Sequence, residues 1–150
     1  MEPEPQDLPE AVKMQVDAHI EQAIALEEQG QLQQAEQVYQ AALNLIPEPK
    51  YAFWETMRIY VGFGEIHFVQ GQFEQAAHFY QECMKMPEGF INPFVLLRRG
   101  QIAFEQDDAI TAAEHLTRAL MLEGTEIFDE EDPKYLDFLK TVLKAPPGGW

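Results

Sequence analysis

The stretch GQLQQAEQVYQAALNL (residues 30–45) returns 41 residues later as GQFEQAAHFYQECMKM (residues 71–86). Six of the sixteen aligned positions are identical, and most of the others keep their character. In both copies the apolar residues recur three and four positions apart, which is the spacing of one face of an α-helix. A short helical hairpin cannot bury its apolar faces alone, so the duplication predicts units that stack and bury one another.

The same helical spacing continues along the whole chain and predicts seven helices and no strand. Pro9 suits the first turn of the first helix, and Gly30 ends that helix. A fifth helix follows Pro93. The last helix is expected to have Asp132 as its N-cap and Pro133 as its first residue.

Small and aromatic residues recur at fixed places in three consecutive units, and this pattern resembles the tetratricopeptide repeat (TPR). The first unit offers Ala23, Leu26, Gly30, Ala35, Tyr39, Ala42 and Pro47, and the second offers Tyr60, Gly64, Gly71, Ala76, Tyr80 and Cys83. The third offers Leu96, Gly100, Ala112, Leu116, Ala119 and Leu120, with Asp107 where the repeat has glycine. The resemblance implies an all-α fold: a right-handed helical-hairpin solenoid of three TPR-like repeats plus a C-terminal capping helix.

The register of these units sets the expected domain organisation. We expect one TPR-like domain over residues 9–144, with repeats at about 16–49, 57–90 and 93–126 and the capping helix at about 133–144. Residues 1–8 are expected to be a disordered acidic N-terminus, and residues 145–150 a flexible tail. The spacing of 41 residues exceeds the 34-residue TPR period by seven. These extra residues are expected to lengthen the front of the third helix and to push Tyr51 and Trp54 beyond the stack.

The chain is strongly acidic, with 26 acids, 10 bases and a net charge of −16 over 150 residues. This charge argues against nucleic acid and anionic membranes as partners, because both would be repelled. The N-terminus lacks the basic and apolar regions of a secretory signal, and no apolar run reaches the length of a membrane-spanning helix. One cysteine fits a reducing compartment. We therefore expect a cytoplasmic protein.

No constellation of residues indicates catalysis, so we expect no enzymatic activity, no cofactor and no metal. Cys83 occupies a place where the repeat packs a small residue, and a buried thiol is inert. The histidines lack metal-ligand spacing, and the acidic run at residues 129–132 lacks the alternating ligands and central glycine of a calcium loop.

The TPR resemblance also implies where a partner binds, because TPR domains commonly hold peptides in a groove lined by the first helix of each hairpin. The candidate partner-binding residues are Glu21, Glu28, Trp54, Arg58, Val61, Glu65, Phe68, Phe94, Leu97, Arg98, Gln101, Asp129, Glu130, Glu131 and Asp132. An alternative for the last four is an N-terminal helix cap with solvated neighbours. The Lys/Asn carboxylate clamp of cochaperone TPR domains is absent, since its places hold Ile20, Ile24, Val61, Glu65, Leu97 and Gln101.

Two hypotheses for function follow. Residues 91–139 resemble small bacterial proteins encoded beside Rhs-type polymorphic toxins, which implies an immunity protein that binds and neutralises a cognate toxin of type VI secretion. An acidic surface suits a basic toxin domain, because opposite charges accelerate association. The alternative is a general TPR scaffold, adaptor or chaperone that binds a peptide in its concave groove. The oligomeric state stays open, with a monomer favoured.

Overall fold

A computed structural model describes residues 4–150, which form three helical hairpins and a final helix. The helices are α1 (Glu10–Glu28), α2 (Leu32–Leu45), α3 (Trp54–Val69), α4 (Phe73–Cys83), α5 (Pro93–Glu105), α6 (Ala109–Glu123) and α7 (Pro133–Val142). Short 3-10 turns occur at Lys50–Ala52, Gly89–Ile91 and Thr125–Phe128. Residues 4–150 contain no strand, only an isolated bridge between Gln6 and Phe53. The predicted all-α fold of stacked hairpins is confirmed.

Each hairpin turns at a residue with left-handed backbone geometry. Gly30 has φ 76°, Gly71 has φ 73° and Asp107 has φ 61°. A side chain at the glycines would meet no atom within 4 Å, so the backbone angle, and not space, selects glycine there. Aspartate is one of the few other residues that tolerate this geometry. The third turn therefore keeps its shape although its glycine is replaced.

Contacts divide the chain into two compact units, Met1–Phe90 and Ile91–Trp150, where the sequence predicted a single domain over residues 9–144. In the first unit, Ala35, Ala42 and Ala76 are fully buried. A side chain at Gly62 would lie 2.3 Å from Tyr39 Cζ, and one at Gly64 would lie 2.6 Å from Tyr80 Cζ. The repeat therefore pairs a tyrosine of one helix with a glycine of its neighbour, which lets the helices approach closely.

The second unit has its own core, in which α5, α6 and α7 meet. Leu96, Leu116 and Leu139 are fully buried, and Phe128 from the third 3-10 turn joins them. Asp132 accepts a hydrogen bond from Lys134 N at 3.0 Å and caps α7, whose first residue is Pro133. The predicted start of the last helix is confirmed.

The residues before α3 differ from the prediction, because they do not lengthen that helix. Lys50–Ala52 forms a 3-10 turn, and α3 begins only at Trp54. Lys50 Nζ donates hydrogen bonds to the carbonyl oxygens of Leu43 and Ile46, at 2.9 and 2.5 Å, and so satisfies the end of α2. Tyr51 is not pushed out of the unit, since its hydroxyl donates to Glu82 Oε1 at 2.6 Å.

Gln6 and Leu8, within the segment for which the sequence predicts disorder, contact the rest of the first unit. Residues 1–3 lie outside the described residues. Gln6 N donates a hydrogen bond to Ala52 O at 2.8 Å, and Leu8 is buried in the first core. The segment is held in place by hydrogen bonding to the extended backbone around residue 53.

Candidate functional site

The exposed sides of α1 and α3 form one continuous face in the first unit, which we call the α1/α3 face. Lys13 Nζ lies 2.9 Å from Glu55 Oε2, and Arg58 Nη1 lies 3.4 Å from Asp17 Oδ1. The residue numbers of the paired side chains increase together along α1 and α3, so the two helices lie side by side and are parallel. Hydrogen bonds to Glu55 and Asp17 raise the pKa of Lys13. The N-terminal end of the face is therefore a set of paired charges.

The C-terminal end of the α1/α3 face carries the carboxyl groups of Glu27, Glu28 and Glu65. Tyr39 donates a hydrogen bond to Glu27 Oε1 at 2.5 Å, and Tyr80 donates one to Glu65 Oε1. Burial raises the pKa of Glu27, and the charges of Glu65 and Glu28 raise it further, against the opposing hydrogen bond from Tyr39. Acids in the last turn of α1 also oppose the helix dipole, which favours cations at that end. Three acidic side chains therefore lie at this end of the face.

The face also carries apolar side chains: Ile24 and Val61 lie between the two charged ends, and Phe68 follows Glu65 and packs edge-on against Phe73 of α4. Ile24 of α1 is 39% exposed, and Val61 and Phe68 of α3 are partly exposed. Residues three and four apart share a helix face, so the contacts at Lys13 and Arg58 place the following residues on it. The predicted site residues on the α1/α3 face are Glu21, Glu28, Arg58, Val61, Glu65 and Phe68. Trp54, the first residue of α3, is 41% exposed.

Three of the predicted site residues, all in α5, are buried. Leu97 is 1% exposed and belongs to the core of the second unit. Arg98 Nη1 donates a hydrogen bond to Gln101 Oε1 at 2.7 Å and forms an ion pair with Glu131. Gln101 Nε2 donates to the same carboxylate oxygen at 2.8 Å. We call this set the Arg98–Gln101–Glu131 network; it is satisfied from within the chain, so these side chains are not presented to a partner.

The other predicted residues of the second unit divide by burial. Phe94 is partly exposed, and the Arg98 guanidinium lies 4.7 Å from its ring centroid. Asp129 and Glu130 are exposed, whereas Glu131 is held in the network and Asp132 caps α7. The alternative considered for the acidic run, a cap with solvated neighbours, therefore describes three of its four residues. The contact of Glu131 with Arg98 could not be predicted from local sequence patterns, because the two residues are 33 positions apart.

Cys83 and His67 lie in packed surroundings. Burial, aided by the charge of Glu82, raises the pKa of the Cys83 thiol to about 12. The His67 ring stacks on Phe79 with 5.5 Å between centroids. No group of three or more His, Cys, Asp or Glu residues in the described range is arranged to hold a metal ion. In the same range no helix has the length and apolar character needed to cross a membrane.

Comparison with known families decides the assignment. The family described as the MalT-like TPR region matches residues 9–136. The chain belongs to this TPR family. No curated protein matches the sequence.

Solved structures with the same fold come from Yersinia enterocolitica. The type III secretion chaperone SycD in complex with a peptide of the translocator YopD has a TM-score of 0.64 at 19% identity, covering 85% of this chain and 91% of SycD. The translocator chaperone SycD alone has a TM-score of 0.62 at 19% identity, with coverages of 85% and 82%. Its alternative dimer has a TM-score of 0.65 at 19% identity, with coverages of 89% and 96%. At this identity the likeness establishes the TPR-type helical fold alone.

Proposed function

We propose that this TPR protein is a scaffold or chaperone that binds a peptide segment of a partner protein on the α1/α3 face. The observation that carries the proposal is the composition of that face. Ile24, Val61 and Phe68 leave apolar surface exposed beside the carboxylates of Glu21 and Glu28. A fold relative, SycD, has been solved with a peptide of YopD, which supports a peptide as the kind of ligand.

The charge of the face indicates which peptides fit. Burial is the main cause of the raised pKa of Glu27, and repulsion by Glu65 and Glu28 at this end of the face raises it further. A lysine or arginine of the peptide would relieve this repulsion, and apolar peptide residues would cover Ile24. We therefore expect a segment that combines basic and apolar residues. Added salt should slow its association, because charge steering acts mainly on the encounter.

The immunity hypothesis is a finer version of this proposal, with a basic toxin domain as the partner. It depends on the resemblance of residues 91–139 and on the net charge of −16. Neither the matching family nor the similar solved structures are described as binding a toxin, so peptide binding is the better-supported function. Co-expression with the product of an adjacent toxin gene tests the immunity role directly: rescue of growth supports it, and the absence of both complex and rescue contradicts it.

Two variants with matched exposure test the binding face. Ile24, on α1, is 39% exposed, and Leu45, at the end of α2, is 37% exposed. We would measure fluorescence anisotropy with a labelled twelve-residue peptide of alternating lysine and leucine. Ile24→Ser should weaken binding about fivefold, because it removes roughly 1 kcal/mol of apolar contact. Leu45→Ser should leave the affinity unchanged.

A glutamate/leucine peptide of the same length provides the charge control. It should bind at least about tenfold more weakly than the lysine/leucine peptide, since like charges across an interface are costly. Equal affinity for both peptides, or equal effects of the Ile24 and Leu45 substitutions, would contradict the proposal.

A further inference from the structure

The second unit contains an apolar hollow that peptide binding on the α1/α3 face does not use. It lies where the end of α6 meets the residues that follow α7, and its volume is about 400 Å³. Leu120, Met121, Leu143, Pro146 and Trp150 supply its apolar lining. We call it the Trp150 hollow. Ligand pockets of proteins typically measure about 300–1,000 Å³ and are mainly apolar, so the size and the lining are those of a small-molecule site.

The walls of the Trp150 hollow combine fixed and adaptable surfaces. Leu120 and Leu143 pack against the core of the second unit, which fixes one side. Met121 is 80% exposed and forms part of the other side. Methionine is flexible and polarisable, and it adapts to irregular apolar ligands. Exposed apolar surface of this kind marks interaction sites and ligand grooves.

The charge at the hollow is opposite to the charge of the chain. Lys144 has the only charged side chain in the lining, although acids outnumber bases by 26 to 10 in the sequence. Within residues 4–150 its ammonium group has no ion-pair partner, so it is available to an anion. Glu123 and Glu126 flank the lining segment in sequence but do not belong to the lining.

We propose that the Trp150 hollow binds a small amphiphilic carboxylate. The hydrocarbon part lies against Leu120, Met121 and Trp150, and the carboxylate lies at Lys144 Nζ. The proposal is independent of the peptide-binding function, because it concerns only residues of the second unit. An amphiphilic carboxylate is favoured over an apolar side chain from a second copy of the protein. An apolar side chain would leave the ammonium group of Lys144 without a counter-charge.

The fluorescence of Trp150 reports binding at the hollow. The chain has two tryptophans, so Trp54→Phe leaves Trp150 as the only tryptophan, which can be excited selectively at a wavelength that tyrosine does not absorb. Titration of this variant with octanoate at 0.15 M salt should change the emission of Trp150 in a saturable way. Between hexanoate and octanoate, each added methylene should lower Kd about fourfold, since a buried methylene contributes about 0.8 kcal/mol. A non-saturable or absent response to octanoate would overturn the proposal.

Variants in the same background separate the carboxylate from the hydrocarbon. Lys144→Gln should weaken octanoate binding about fivefold and leave binding of the neutral analogue 1-octanol unchanged. Met121→Gln should weaken both, whereas the matched control Ile110→Gln, at an 85% exposed site on the same helix, should weaken neither. The proposal is wrong if Lys144→Gln leaves the ratio of the two affinities unchanged, or if both α6 variants act alike. Sedimentation showing self-association that Met121→Gln abolishes, without octanoate binding, would assign the hollow to a second copy instead.

Discussion

Replacement of Glu131 by alanine tests the Arg98–Gln101–Glu131 network. The Arg98 and Glu131 side chains are only 10% and 16% exposed, so the substitution leaves a largely buried guanidinium without its carboxylate. Loss of one partner from a fully buried ion pair costs about 3–5 kcal/mol. Here Arg98 keeps its hydrogen bond to Gln101, and the pair retains some exposure. We therefore expect a loss of about 2 kcal/mol in the free energy of unfolding.

Equilibrium unfolding in urea, followed by far-UV circular dichroism, measures this loss. Glu130→Ala is the matched control, because Glu130 is the exposed neighbour of Glu131, and its effect should stay within about 0.5 kcal/mol. Glu131→Gln should cost less than Glu131→Ala, since its amide oxygen still accepts a hydrogen bond. If the alanine variants at 130 and 131 were equally stable, the network would not stabilise the second unit, and the reasoning above would be refuted.

Three further substitutions or treatments test the first unit. Gly62→Ala should destabilise by about 1–2 kcal/mol, because the methyl group would meet Tyr39 Cζ at 2.3 Å, and a calorimetric melt that is unchanged or raised would contradict this packing. Cys83, with its pKa near 12, should resist iodoacetamide at pH 8 in the native protein and react once urea unfolds it, as mass spectrometry would show. Glu27→Gln should raise the melting temperature at pH 7, because the raised pKa of Glu27 means that ionisation costs stability as pH rises through the folded value. That gain should disappear below about pH 4, where the wild-type carboxyl is neutral in both states, and a gain independent of pH would rule out the electrostatic cause.

Local sequence patterns were sufficient to predict the hairpins. The period of the apolar residues reports one helix face, and Gly30 and Gly71 mark the left-handed turns that close the first two hairpins. Asp107 marks the third, because aspartate tolerates the same geometry. The starts of α5 and α7 could also be predicted, since proline suits the first helical position, where its missing N–H would have had no partner within the helix.

Contacts between distant residues could not be predicted from these patterns. The segment before α3 was expected to extend that helix. Instead, Lys50 donates a hydrogen bond to a carbonyl group at the end of α2, and Phe53 forms a bridge with Gln6 of the N-terminal segment. Gln101 occupies a position that faces the ligand in the groove of a regular TPR domain. Here its amide donates a hydrogen bond to Glu131, which lies in a loop 30 residues further along the chain. Helical periodicity places a side chain on a face, but it does not reveal which other segment of the chain covers that face.

The central claim is that the α1/α3 face binds a basic and apolar peptide, and amide chemical-shift mapping tests it most directly. The isotope-labelled protein would be titrated with the lysine/leucine peptide, and the perturbed amides would be located along the chain. The account predicts saturable shifts concentrated at residues 17–28 and 58–68, with far smaller shifts in α6 and α7. Saturable shifts confined to the second unit, or no saturable shifts at either group of residues, would contradict it.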